Sequence, residues 1–207
     1  MHRSLCISST NFALAALLAA LPAVARAQTS GEAVLGGSPR EARLTVNVTS
    51  SVSGACTFSA GNVPGGTYSV GNVEGAYSVN VPFSLSCNSP SRVGVVSDNG
   101  GLLAAGVPTV PNGYARLAPY QITLSLAGNA GSTAQATCQS PTLTASASGC
   151  TFKGPATSTR GLRLPGPSLD VPGSFLRISS QGYAEPATLI ASNSYADRLT
   201  ITISPAT

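Results

Sequence analysis

After Met1 and His2 the chain contains neither Met nor His, and it has no Trp at all. Charged residues make up 9% of it and aromatic residues 5%. Each shortage removes a class of function. Without His there is no Ser-His-Asp triad, no Cys-His dyad and no His-ligated metal site. A glycosidase grips sugar with aromatic platforms and needs two placed carboxylates, for which a chain with no Trp and 7 Asp+Glu is poorly equipped. The 11 Lys+Arg are scattered singly, without the cluster that marks a nucleic-acid or anionic-lipid footprint. These absences predict a protein that is not an enzyme, carries no cofactor or metal and binds no nucleic acid.

Long apolar runs are also missing, apart from one near the start. His2 and Arg3 give a positive opening, Phe12 to Leu21 is apolar but too short to span a bilayer, and Ala25-Arg26-Ala27 follows Pro22 as a small-residue cleavage pattern. Residues 1–27 therefore read as a secretory signal peptide. The remainder is expected to have no stable membrane insertion, and at about 180 residues it suffices for one β domain with its own core.

Cys6 leaves with the signal. Cys56, Cys87, Cys138 and Cys150 remain, an even number in an exported chain, which predicts two disulfides. Three connectivities are open. Sequential pairing, Cys56 with Cys87 and Cys138 with Cys150, gives two local loops of ordinary size, each stabilising by roughly 3 kcal/mol. A four-Cys zinc site is the rival, and the absence of any C-x₂-C spacing argues against it.

Along the chain, residues 28–42 lack periodicity and read as a flexible N-terminal extension. Alternation begins at Arg43, with Leu44, Val46 and Val48 on one face and Thr45, Asn47 and Thr49 on the other. Val52 to Phe58 continues as an extended piece, and Gly61 to Gly66 reads as a loop. Tyr77 to Cys87 alternates cleanly, with Pro82 marking an edge or an imperfect pairing. Arg92 to Val96 is a short strand that turns at Ser97-Asp98-Asn99-Gly100-Gly101. Further strands are expected at Tyr120 to Leu126, Phe175 to Ile178, Ala187 to Ile190 and Leu199 to Ile203. Residues 129–173, poor in large apolar side chains, read as a low-complexity insert stapled by the second disulfide. Short strands punctuated by Gly and Pro with no helical period predict an antiparallel all-β sandwich.

The Cys56 to Cys87 module, the Pro119-Tyr120 strand and the ending Ser194-Tyr195-Ala196-Asp197-Arg198-Leu199-Thr200-Ile201-Thr202-Ile203 resemble the spore coat protein U family, which includes the archaic chaperone-usher pilins. Tyr195 and Asp197 fall on that family's signature ahead of the alternating Leu199, Ile201 and Ile203. The resemblance covers residues 43–128 and 174–207; the 129–173 insert with its second Cys pair departs from the pattern. It implies an immunoglobulin-like sandwich that lacks its last strand and is completed by a donor strand. A periplasmic chaperone would fill the groove first, with Leu199, Ile201 and Ile203 facing it. The N-terminal segment of an identical or related subunit, delivered at the outer-membrane usher, would then replace the chaperone. The result would be a pilus on the cell surface, serving adhesion or biofilm formation.

The residues agree with that implication in two respects. Leu44, Val46 and Val48 offer apolar side chains about 6.8 Å apart, by two residues at roughly 3.4 Å rise, suited to successive pockets of a neighbour's groove. The chain also stops soon after Ile203, leaving no length for a further strand. The plainer alternative makes Leu44 to Val48 the first strand of the chain's own sheet, in a spore-coat-like protein or a monomeric surface binding module. Lesser features have ordinary explanations. Asn47-Val48-Thr49 matches a glycosylation sequon by chance, Asp98, Asp170 and Asp197 sit where turn-formers and caps belong, and Gly65-Gly66 and Gly100-Gly101 lack the Lys and helix of a phosphate loop.

Overall fold

The computed structural model describes residues 41–50 and 56–206. The leader at 1–27, the extension as far as 40, Val52 and the side chain of Val48 fall outside the described part. Fourteen strands form among the described residues. In chain order β1 is Glu41–Ser50, β2 Cys56–Phe58, β3 Gly66–Asn72, β4 Tyr77–Cys87 and β5 Ser91–Ser97. Next come β6 Leu102–Ala104, β7 Tyr114–Ala115, β8 Leu117–Ala118, β9 Gln121–Ala127 and β10 Thr133–Gln139. The last four are β11 Leu162–Leu164, β12 Ser168–Ser180, β13 Thr188–Leu189 and β14 Tyr195–Pro205.

Two sheets enclose one core. The first runs β11-β5-β14-β1-β3, with β6 against β14 and β8 against β6; the second runs β10-β9-β12-β4-β2. Alternation in the sequence decides which side chains fill the space between them. Val81, Phe83 and Leu85 of β4, Ile122, Leu124 and Leu126 of β9, and Leu199, Ile201 and Ile203 of β14 are all buried there. The protein is an all-β sandwich, and its pairings are antiparallel apart from β1 with β14, the two-residue β7 with β13, and one bridge between Val95 and Lys153.

Cys56 and Cys87 are cross-strand partners in β2 and β4 and form one disulfide, with Cα atoms 4.1 Å apart. Cys138 of β10 and Cys150 form the other. Pro82 sits beyond the stretch of β4 that β2 covers, so its missing N–H costs the second sheet nothing on that side.

Residues 129–173 are built into the sandwich. β10 closes one edge of the second sheet, Phe152 is fully buried, and β11 pairs with β5 in the first sheet. Leu143 and Leu164 join Phe152 in the core. The segment crosses from one sheet to the other and reaches the core through these three large apolar side chains, which explains why its average composition reads as loop.

Candidate functional site

β14 carries the residues that the family resemblance singles out. Its inward positions are Tyr195, Asp197, Leu199, Ile201 and Ile203, none more than 3% exposed. Four are apolar or aromatic. The fifth, Asp197, places a carboxylate in an otherwise greasy stripe, a costly arrangement unless every lone pair is satisfied.

They are satisfied. Asp197 Oδ2 accepts from Ser97 Oγ at 2.6 Å and from Tyr120 Oη at 2.7 Å, while Oδ1 accepts from the backbone N–H of Asn99 at 3.0 Å and of Arg198 at 2.8 Å. Ser97 Oγ in turn accepts from Gly100 N–H at 2.8 Å. A second hydroxyl, Ser140 Oγ, accepts from Tyr120 N–H and donates to Gly100 O, both at 2.9 Å. The turn at 97–101 is thus wrapped around the carboxylate. Gly101, at φ 159°, lets the backbone approach Ala118 O, where a Cβ would stand only 2.8 Å away. Burial pushes the Asp197 carboxyl above the usual range for a carboxylate, against four hydrogen bonds that pull it down. Burial and the neighbouring Asp197 push the Tyr120 phenol well above its ordinary value, and those of Tyr77 likewise. Asp197 therefore does cap a turn, from the buried side. Chemically the arrangement is a fixed knot joining β14, β5, the start of β9 and the end of β10.

The other candidate residues lie along the same strand. β1 runs parallel to β14 in unbroken register, with Leu44 beside Asp197, Val46 beside Leu199 and Val48 beside Ile201. On its other side β1 pairs antiparallel with β3. Leu44 and Val46 are fully buried in this chain's own core. The strand starts at Glu41, two residues before the alternation shows it. With β1 in this seat, the exposed large apolar side chains among the described residues are Tyr114 and Leu169, and no open apolar groove flanks Leu199, Ile201 or Ile203.

Sequence reasoning missed Ser97 and Tyr120 as the partners of Asp197, and Ser140 as the hydroxyl that holds Tyr120 and the 97–101 turn in place. A charged residue on the apolar face of an alternating strand was the available signal that something must bond it. Its partners lie 77 and 100 residues away, beyond the reach of any local pattern.

Among the described residues no group of three His, Cys, Asp or Glu side chains is placed to hold a metal ion, and no helix is long and apolar enough to cross a membrane. No protein-family model matches the chain, and no curated relative matches it either.

Proposed function

We propose that this chain is a structural subunit of a bacterial surface fibre, exported through the periplasm and assembled on the chaperone-usher route by donor-strand complementation. The observation that carries the reading is the seat of β1 between β14 and β3. A parallel pair cannot be joined by a hairpin, and the next strand in the chain, β2, belongs to the other sheet. β1 is thus held by its pairing with β14 and β3 and by the burial of Leu44 and Val46, and by no hairpin to β14. Replacing it with the same segment of another copy would conserve every pair, and a head-to-tail exchange that does not close makes a fibre.

Two further features support exchange. Without β1, the edges of β14 and β3 would lie open and Leu199, Ile201 and Ile203 would lose their cover, the state a periplasmic chaperone protects and an outer-membrane usher consumes. The resemblance of Tyr195, Asp197 and the following strand to the spore coat protein U family points the same way. The rival reading, a complete and monomeric surface binding module, draws on the full burial of Leu44 and Val46 in the chain's own sheet.

One experiment separates the two. Asn47 and Thr200 are register partners on the half-buried face of β1 and β14. In an Asn47→Cys, Thr200→Cys variant secreted together with its chaperone and usher, oxidation should yield a ladder of covalent multimers on a non-reducing gel. A single intramolecular disulfide in every copy would overturn the fibre reading and leave the monomeric module.

A further inference from the structure

Away from β1, one end of the second sheet collects side chains that nothing described so far uses. Gln139 of β10 and Gln121 of β9 are direct cross-strand partners, and Ser179 of β12 lies opposite Gln121, so one row of amides and a hydroxyl crosses three strands. The loop after β12 rises beside this row and closes a pocket of about 220 Å³, lined among others by Gln181, Tyr183 and Glu185. A second depression of about 510 Å³ shares Ser179, Ser180 and Gln181 with the first and is reached past Tyr77 and Arg177. Together they form one groove along the ridge 179–181. Three of the chain's five Gln gather there, with the Tyr183 ring beside them, in a protein with few of either.

Those amides are uncommitted. Gln121, Gln139 and Gln181 are exposed, and among the described residues their side chains make no hydrogen bond. The loop that carries Gln181 is nevertheless fixed: Gly182 N–H donates to Ser180 Oγ at 3.1 Å, and Tyr183 N–H donates to Glu74 O at 3.1 Å. Gly182 has φ 106°, and a Cβ there would meet Glu74 O at 3.1 Å, so the loop sits as close to Glu74 as glycine allows. A wall held in place in advance loses little freedom when a ligand arrives.

From this chemistry we infer that the groove is a binding site for a neutral oligosaccharide. Carboxamides and hydroxyls both donate and accept, as sugar hydroxyls do, and several of them converge on one concave surface. Charge in the groove is balanced, with Glu185 in one depression and Arg177 in the other, and Arg177 is stacked over Phe175 at 5.0 Å. That balance gives a strongly anionic ligand no preferred seat. The lining is too polar to anchor a lipid or an apolar peptide, and although Gln139 belongs to the edge strand β10, Gln121 and Ser179 face outward from β9 and β12 inside the sheet, so the site is built on side chains of the sheet face rather than along its edge. The site does not involve β1 and stands whether or not the chain polymerises.

The test uses the purified full-length protein on an array of neutral hexasaccharides built from glucose, mannose, galactose and N-acetylglucosamine, with oligogalacturonate as the anionic comparison. At least one neutral chain should bind, and the Gln139→Ala, Gln181→Ala double variant should weaken it about tenfold or more while melting at the parental temperature. Tyr183→Ala should weaken it independently, and Thr133→Ala, on the same sheet face but outside the groove, should not. The inference is overturned if no neutral chain binds, if the double variant binds as well as the parent, or if oligogalacturonate is preferred.

Discussion

Tyr120 donates its phenolic hydrogen to Asp197 at 2.7 Å, which bonds the entrance of β9 in one sheet to the start of β14 in the other. The bond is wholly buried, so neither group has water to fall back on. Tyr120→Phe keeps the ring and removes one donor to an ionised oxygen, and it should lower stability by about 1.5–3 kcal/mol. Urea unfolding measures this directly. An unchanged midpoint would mean that the remaining donors satisfy Asp197 without Tyr120.

The same carboxyl makes stability depend on pH, with a definite sign. Its folded pKa is raised by burial, so the folded state holds the proton more tightly than the unfolded chain does. The contribution of Asp197 to stability is then fully present below the ordinary carboxylate pKa of about 4 and is lost as pH rises from there through the raised value. Asp197→Asn should flatten that part of the curve. The check is the urea midpoint at a series of pH values for both proteins; parallel curves would remove Asp197 as the source.

The two disulfides differ in access. Cys56 and Cys87 are fully buried, whereas Cys138 and Cys150 are half-buried. A mild thiol reductant should open Cys138–Cys150 first, and alkylation followed by mass spectrometry should find label at these two positions while Cys56–Cys87 remains closed. Label at all four at the same rate would show that opening requires global unfolding.

Val46→Asp places a charge in a fully buried seat of β1 and should destabilise the isolated chain by more than the 1.5–3 kcal/mol that burying Val contributes. A synthetic peptide of residues 41–50 with the parental sequence, added in trans, should restore the melting temperature of this variant, because it can supply both the pairing with β14 and β3 and the apolar side chains that fill the core. Ile201→Asp, in β14 itself, should not be rescued. Failure of the peptide to raise the Val46→Asp melting temperature would mean that β1 cannot be supplied from outside.

Much of this architecture was readable in advance wherever one face is greasy and the other polar. Tyr77 to Cys87, Tyr120 to Leu126 and Leu199 to Ile203 declare themselves by period two, and sequential spacing pointed to both disulfides. β10 was not readable, because its residues are Ala, Thr, Gln and Cys, none of them a large apolar side chain; it is a strand because β9 offers it an edge to pair with. β3 was missed for a related reason, since Gly66-Thr67-Tyr68-Ser69-Val70 carries a single fully apolar inward residue. β12 begins at Ser168, seven residues before its apolar run, where register shifts at Leu169, Val171 and Ser174 interrupt the alternation. The groove at Gln121, Gln139 and Gln181 was invisible for a different reason, as its members come together only when three elements fold to one end of a sheet.

The parallel seam between β1 and β14 also sets how the sandwich bears mechanical load. Because the strands run the same way, tension drawn from the Glu41 end of β1 and resisted at the Pro205 end of β14 acts along the strand axis, across the evenly spaced, slanted bonds that join them. The register partners from Ala42–Tyr195 to Ser50–Ile203 are then sheared together, and none can part until the whole row slides. Pulled from the same end instead, the two strands would peel apart one rung at a time at far lower force.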